Sequence, residues 1–184
     1  MRHFQQIASN VETLPLTLSL ARQPELWNRH DARTAGPGSF TYTDDIWVRF
    51  RAAHELVAPD SYAERFDLAW YPAWHALPHI RPIVFGLMAR VEAVQLGGIL
   101  LTRIPAGQRV KPHNDRGRWH PEWFTTKAYL VLETNDRCIS TCEDEAVVMK
   151  RGECWSFDNL REHGTDNEHG TSDRITLIVS MRCE

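Results

Sequence analysis

The sequence predicts an α+β fold, mainly β, with helices in its first half and an antiparallel barrel or sandwich in its second. From Ile99 onward the chain breaks into short runs rich in apolar and β-branched residues, separated by turns. Such runs, each about five to nine residues long, suit antiparallel strands. Before them, apolar residues recur at helical spacing. The N-terminal part is too small for a core of its own, so residues 1–184 read as one domain. Residues 1–96 form its helical and strand surround, and residues 97–184 its core.

Each element has its own warrant. Residues 3–10 suit a short strand. Thr13 can cap a helix with Pro15 in its first turn, with Leu14, Leu18 and Ala21 at helical spacing. Pro24 ends it, Leu26 and Trp27 suit a further short turn, and 34–39 is a Gly/Pro loop. Asp45–Phe50 alternates like a half-buried strand, 58–67 is polar, and Pro72 and Pro78 interrupt any long helix around Trp70, Tyr71 and Trp74. Ile80, Val84, Leu87, Val91 and Val94 mark an amphipathic helix over 80–94 that Gly97-Gly98 closes. Strands are then expected at 99–104, 109–114, 124–133, 137–142, 145–149, 153–157, 162–166 and 174–182.

With 42% hydrophobic and 24% charged residues, the chain can bury a substantial core without disulfides. A net charge of -3 and a pI near 6.3 leave no basic footprint for nucleic acid or anionic membrane. No window reaches the roughly 18 apolar residues of a membrane helix. Met1–Gln6 lacks the apolar stretch of a signal peptide. The expected compartment is the cytoplasm, where Cys138, Cys142, Cys154 and Cys183 are free thiols by default. Cys138 and Cys142 are half of a zinc pattern, but no second pair at ligand spacing accompanies them.

The chemistry concentrates between Arg109 and Arg182. On a strand, His113 and Asp115 point to the same face and can reach one ion. A further histidine would complete the two-histidine, one-carboxylate set of non-haem Fe(II) sites, and His163 is the best candidate. An isolated His-x-Asp also arises often by chance. Among the competitors, Pro78 spoils the helix that would align His75 with His79, while His120 and His169 sit in expected loops as solvated or supporting groups. Arg174 opens an apolar strand, where an inward cation needs an anion. Asp173 is one possible partner; a ligand carboxylate gripped by two parallel hydrogen bonds is the other.

These residues fall into a recognisable pattern. His113-x-Asp115, Gly152-Glu153-x-Trp155-x-Phe157-Asp158-Asn159, His163-x-x-x-Asn167 and Asp173-Arg174-Ile175-x-Leu177 together resemble the aspartyl/asparaginyl β-hydroxylase branch of the 2-oxoglutarate/Fe(II) oxygenases. Arg103–Gly107 and Pro112 are also similar to it, and the likeness spans roughly residues 97–182. The resemblance implies a double-stranded β-helix of the cupin or jelly-roll type. It also implies Fe(II) on His113, Asp115 and His163, and the distal carboxylate of 2-oxoglutarate on Arg174. Lys127 falls where animal members have a second arginine for the cosubstrate, and Tyr129 where they have a histidine. Asp115 is absent from the animal enzymes but kept in many bacterial relatives.

The implied activity is dioxygen-dependent hydroxylation of an unactivated C–H bond, with succinate and carbon dioxide released. The family favours an amino-acid side chain, peptidyl or free, as substrate. Charge agrees: Fe(II), one aspartate, 2-oxoglutarate and Arg174 sum to neutrality, so the site can close around them. The loop after Asp115 supplies pocket candidates in Arg116, Arg118, Trp119 and Trp123, or else a solvated loop with two packing tryptophans. Arg103, Trp155 and Asn167 are further candidates, with Trp47 and Arg49 behind them. A nucleobase dealkylase is disfavoured, because Ser180 stands where that class has a second arginine. Two other readings stay open: a metal-dependent cupin dioxygenase or isomerase that does not use 2-oxoglutarate, and a non-catalytic cupin binding module. Neither has a need for Arg174.

Overall fold

The computed structural model describes residues 1–52 and 64–184. Of the polar stretch expected over 58–67, residues 58–63 lie outside the described residues. The chain runs β1 (Phe4–Ala8), α1 (Leu14–Ala21), a 3-10 turn (Pro24–Leu26), β2 (Asp44–Arg51), β3 (Leu68–Trp70), α2 (Ala73–Ala76) and α3 (Ile80–Arg90). It continues with β4 (Ala93–Ile104), β5 (Gln108–His113), α4 (Trp119–Trp123), β6 (Thr126–Glu133) and β7 (Ile139–Cys142). The last elements are β8 (Glu145–Val147), β9 (Cys154–Phe157), β10 (His163–Asn167) and β11 (Arg174–Cys183).

The strands form a seven-stranded sheet, β1-β9-β6-β11-β4-β2-β3, and a four-stranded sheet, β5-β10-β7-β8. Every pairing is antiparallel. This is the expected double-stranded β-helix, mainly β, with the N-terminal helices packed on the larger sheet.

Strand β11 explains how the sheet serves two interiors. Its odd residues, Ile175, Leu177, Val179 and Met181, join the main core with Leu16 and Leu20 of α1 and Ile80, Val84 and Leu87 of α3. Its even residues Arg174, Thr176 and Ser180 are also buried, although polar. Period-two alternation puts them on the opposite face, toward the smaller sheet. A central strand buried on both faces but polar on one is the wall of a site.

Four expectations need correction. In α1 the buried stripe is Leu16 and Leu20, while Leu14 and Leu18 are about half exposed at 48% and 46%. Strand β2 is buried on both faces, with Ile46 and Val48 in the main core and Trp47 and Phe50 in a second cluster with Tyr71 and Leu100. Helix α3 stops at Arg90, because Glu92 adopts a left-handed φ of 54° that turns the chain into β4 at Ala93. Gly97 and Gly98 therefore lie inside a strand. There a Cβ on Gly97 would sit 2.7 Å from the Phe124 ring and 2.9 Å from the Ser180 carbonyl oxygen, so close approach, not helix termination, requires the glycine. Finally, residues 119–123, expected as loop, form the short helix α4.

Candidate active site

His113 ends β5 and His163 begins β10, and the two are register partners across that antiparallel pair. Asp115 follows just beyond β5, where its backbone N–H donates to the Asn159 carbonyl at 3.0 Å. One ligand atom from each of His113, Asp115 and His163 lies within 4.8 Å of the others, and the imidazole centroids are 4.3 Å apart.

Both rings are held the same way. His113 Nδ1 lies 2.8 Å from the Lys111 carbonyl, and His163 Nδ1 lies 2.9 Å from the Arg161 carbonyl. Each Nδ1–H donates to the carbonyl two residues back, so each Nε2 keeps its lone pair for an ion. Burial keeps both rings neutral. It lowers His113, and it lowers His163 to about 4, where a proton on both adjacent rings would also be repulsive.

Asp115 is buried and fully engaged. Lys127 Nζ donates to its Oδ2 at 2.6 Å, the Asn159 amide donates to the same oxygen at 3.0 Å, and Arg118 approaches Oδ1 at 3.4 Å. Burial pushes the carboxyl up, but the Lys127 ammonium and the two donors outweigh it and hold it well below the usual carboxylate range. Two neutral imidazoles and an ionised carboxylate are the donor set of a 2-His-1-carboxylate iron site, so the residues present fit Fe(II).

Arg174 is 3% exposed. Its Nε donates to Thr176 Oγ1 at 2.9 Å, and its terminal nitrogens meet Cys138 Sγ at 3.8 Å and Met149 Sδ at 3.3 Å. Among the described residues no carboxylate pairs with it. Asp173, the alternative partner, instead accepts the Ala106 N–H at 3.0 Å. The guanidinium borders the same cavity, of about 670 Å³, as all three candidate ligands, together with Lys127, Tyr129 and Thr176.

The other pocket candidates divide. Arg118 borders the cavity. Arg116 turns its Nε to the Leu160 carbonyl at 2.8 Å. Trp119 packs against Phe66 and Phe124, and Trp123 donates to Gln95 and lies under the Arg182 guanidinium. Arg103 pairs with Asp44 at 2.7 Å over the Trp27 ring. Trp155 is buried with Phe4 and Val131, its Nε1 donating to Glu153. Asn167 is fully buried and donates to the carbonyls of Ile104, Pro105 and Ser172, tying two turns together. Trp47 packs on His30 and Tyr71, and Arg49 donates to the carbonyls of Leu96 and Gly97. The structure therefore brings only Arg118 of this group to the cavity.

Several lining residues were not foreseen. The loop read only as Gly/Pro-rich supplies Gly36, Gly38 and Phe40, and the Phe40 ring meets His113 edge-on at 4.9 Å. Arg33, clamped on Asp45 at 2.6 Å, supports that ring from behind at 3.9 Å. His120, read as a solvated or supporting group in a loop, is instead buried in α4, borders the cavity and stacks on Phe66 at 5.7 Å. Nothing local marks Phe40; only the tertiary path of the loop brings it to His113.

A double-stranded β-helix with two histidines, one carboxylate and a buried arginine around one cavity defines a class, the non-haem iron oxygenases. The profile of the aspartyl/asparaginyl β-hydroxylase family matches residues 49–183, and the chain belongs to that family, whose members are Fe(II)- and 2-oxoglutarate-dependent hydroxylases.

No curated protein sequence matches it. Solved structures share the fold at low identity. A Trichoplax adhaerens prolyl hydroxylase in complex with a hypoxia inducible factor peptide fragment gives a TM-score of 0.62 at 10% identity, covering 97% of this chain and 83% of that one. A Pseudomonas putida prolyl-4-hydroxylase gives 0.58 at 14%, covering 99% and 94%. A Burkholderia pseudomallei oxidoreductase of the 2OG-Fe(II) oxygenase family gives 0.54 at 10%, covering 90% of each chain.

Proposed function

We propose that residues 1–184 act as one catalytic unit that hydroxylates an amino-acid side chain, with His113, Asp115 and His163 holding Fe(II) and Arg174 holding the distal carboxylate of 2-oxoglutarate. The observation that carries this reading is the buried Arg174 guanidinium, with no carboxylate partner among the described residues, beside the three candidate ligands. A cupin that does not use 2-oxoglutarate, or a binding module, has no use for such a cation.

Iron and the 2-oxo acid, when bound, supply the oxidant that replaces a C–H hydrogen by hydroxyl, with dioxygen consumed and succinate and carbon dioxide released. The chain's residues do the rest. His113 and His163 present Nε2 lone pairs, fixed by their carbonyl contacts. Asp115 stays ionised through Lys127 and Asn159. Arg174 would orient the cosubstrate, and the apolar rings of Phe40, against His113, and of Phe50 and Phe66, beside His120, limit water in the cavity.

A cavity of about 670 Å³ accommodates the cosubstrate together with a small side chain. The substrate is a free amino acid or a peptide, the latter favoured by the peptide held by the Trichoplax prolyl hydroxylase. Lys127 and Arg118 border that space and suit a substrate with a carboxylate. Four free cysteines fit a reducing cytoplasm. The test is succinate release by the Fe(II)-loaded chain across a panel of free amino acids and of aspartyl-, asparaginyl- and prolyl-containing peptides. Substrate-stimulated release that Arg174→Ala abolishes supports the reading. Release indifferent to Arg174→Ala overturns it.

A further inference from the structure

The acceptors around Arg174 are unusual for a buried guanidinium. Its Nε has an oxygen partner in Thr176, but among the described residues the two terminal nitrogens, the pair that would grip a carboxylate, meet only sulfur: Cys138 Sγ at 3.8 Å and Met149 Sδ at 3.3 Å. Thiol and thioether sulfurs are weak acceptors compared with a carboxylate or an amide oxygen. Both residues are buried, at 0% and 1% exposure, in segments that flank short strands. Cys138 sits at the turn before β7, its N–H on the Asn135 carbonyl, and Met149 packs with Val131 and Trp155.

We propose that Cys138 and Met149 are positioning residues that hold Arg174 in place without satisfying it, and so set the affinity of the site for a dicarboxylate cosubstrate. The inference rests on Arg174 being the 2-oxoglutarate socket. The sulfurs give the guanidinium steric guidance and weak polar contact, so the fork stays aimed along the cavity. An incoming carboxylate then makes two charge-assisted hydrogen bonds while displacing almost nothing. An oxygen acceptor at either position would compete with the ligand for the same N–H groups.

The acceptor series is the test, read as equilibrium binding of 2-oxoglutarate to the Mn(II)-loaded chain by calorimetry, alongside KM and kcat. Cys138→Asp supplies an internal carboxylate and is expected to raise the dissociation constant about tenfold or more. Met149→Gln, with a neutral oxygen acceptor, should raise it several-fold. Met149→Leu, which keeps the volume and removes the acceptor, should leave it within about threefold. KM for 2-oxoglutarate should follow the same order with kcat at saturation preserved.

If Gln and Leu at position 149 weaken binding equally, packing alone is at work and the proposal fails; that pair decides the matter even where Cys138→Asp does not fold. Arg174→Ala separates the two levels. Unchanged 2-oxoglutarate binding in that variant would overturn the socket itself, whereas lost binding with a flat acceptor series overturns only the role of the sulfurs.

Discussion

His113 and His163 face each other across the β5–β10 pair, and each is pinned by the carbonyl two residues before it in its own chain segment. The symmetry is a consequence of strand geometry. A residue at a strand end can turn its ring back onto the preceding backbone, leaving Nε2 free, so one antiparallel register prepares both candidate nitrogen ligands at once.

Asp115 completes that set from outside the strand, and its orientation depends on the Asn159 amide. Asp115→Ala is expected to lower Mn(II) affinity by at least about 100-fold, and Asn159→Ala by about 10–100-fold, as removal of an outer partner commonly does. Isothermal titration of the purified variants measures both. Binding by Asp115→Ala within threefold of the parent would remove this carboxylate from the site.

How much of this was legible in the sequence follows from the range of each interaction. That His113, Asp115 and His163 come together, with Arg174 on the same cavity, was readable from short-range spacing, although Asp115 reaches the cluster from just past the end of β5 and not by strand alternation. The β-rich second half was readable for the same reason, within a residue or two at most strand ends. The helix end at Arg90 was not, because Val91 and Val94 continue the apolar period while a left-handed Glu92 redirects the backbone. Trp119 and Trp123, read as pocket walls or as packing groups, and Trp155, a pocket candidate, pack against neighbouring side chains and do not border the cavity. Phe40, separated from His113 by some seventy residues, is a contact that no local pattern encodes.

His120 carries a pH prediction. Its Nε2 accepts the Gly98 N–H at 3.2 Å, and burial lowers its pKa from 6.5 to about 3. The unfolded chain therefore binds more protons at this residue between about pH 3 and 6.5. Native stability from this group is full above that window and is lost as the pH falls through it. His120→Phe keeps the stacking on Phe66 but cannot be protonated. At pH 7.5 the variant should be less stable by about 1–3 kcal/mol, the cost of leaving the buried Gly98 N–H unpaired. On acidification the difference should shrink and reverse, by up to about 1.4 kcal/mol per pH unit. Urea unfolding of the metal-free chain at pH 4.5, 6 and 7.5 reads the effect; a pH-independent difference would contradict it.

Lys127 is the residue whose two duties pull in opposite directions. Its ammonium sits 2.6 Å from the Asp115 carboxylate, with only 15% of the side chain exposed. There it keeps the carboxylate ionised, yet it also places a positive charge beside the position that a divalent ion would take. A divalent ion beside Asp115 would itself favour the ionised carboxylate, as would the Asn159 amide, so with metal bound the ammonium is not needed for that duty. Lys127→Met should therefore tighten Mn(II) binding several-fold in the absence of 2-oxoglutarate, by removing the repulsion. The same change leaves the loaded cavity with less positive charge to receive an anionic substrate. KM for a carboxylate-bearing substrate should rise about tenfold or more, while the 2-oxoglutarate requirement, which we assign to Arg174, should move much less. Metal titration and the two KM values measured on one preparation separate these effects. Tighter metal binding with an unchanged substrate KM would mean that Lys127 serves Asp115 alone. A large rise in the 2-oxoglutarate requirement would assign it to the cosubstrate instead.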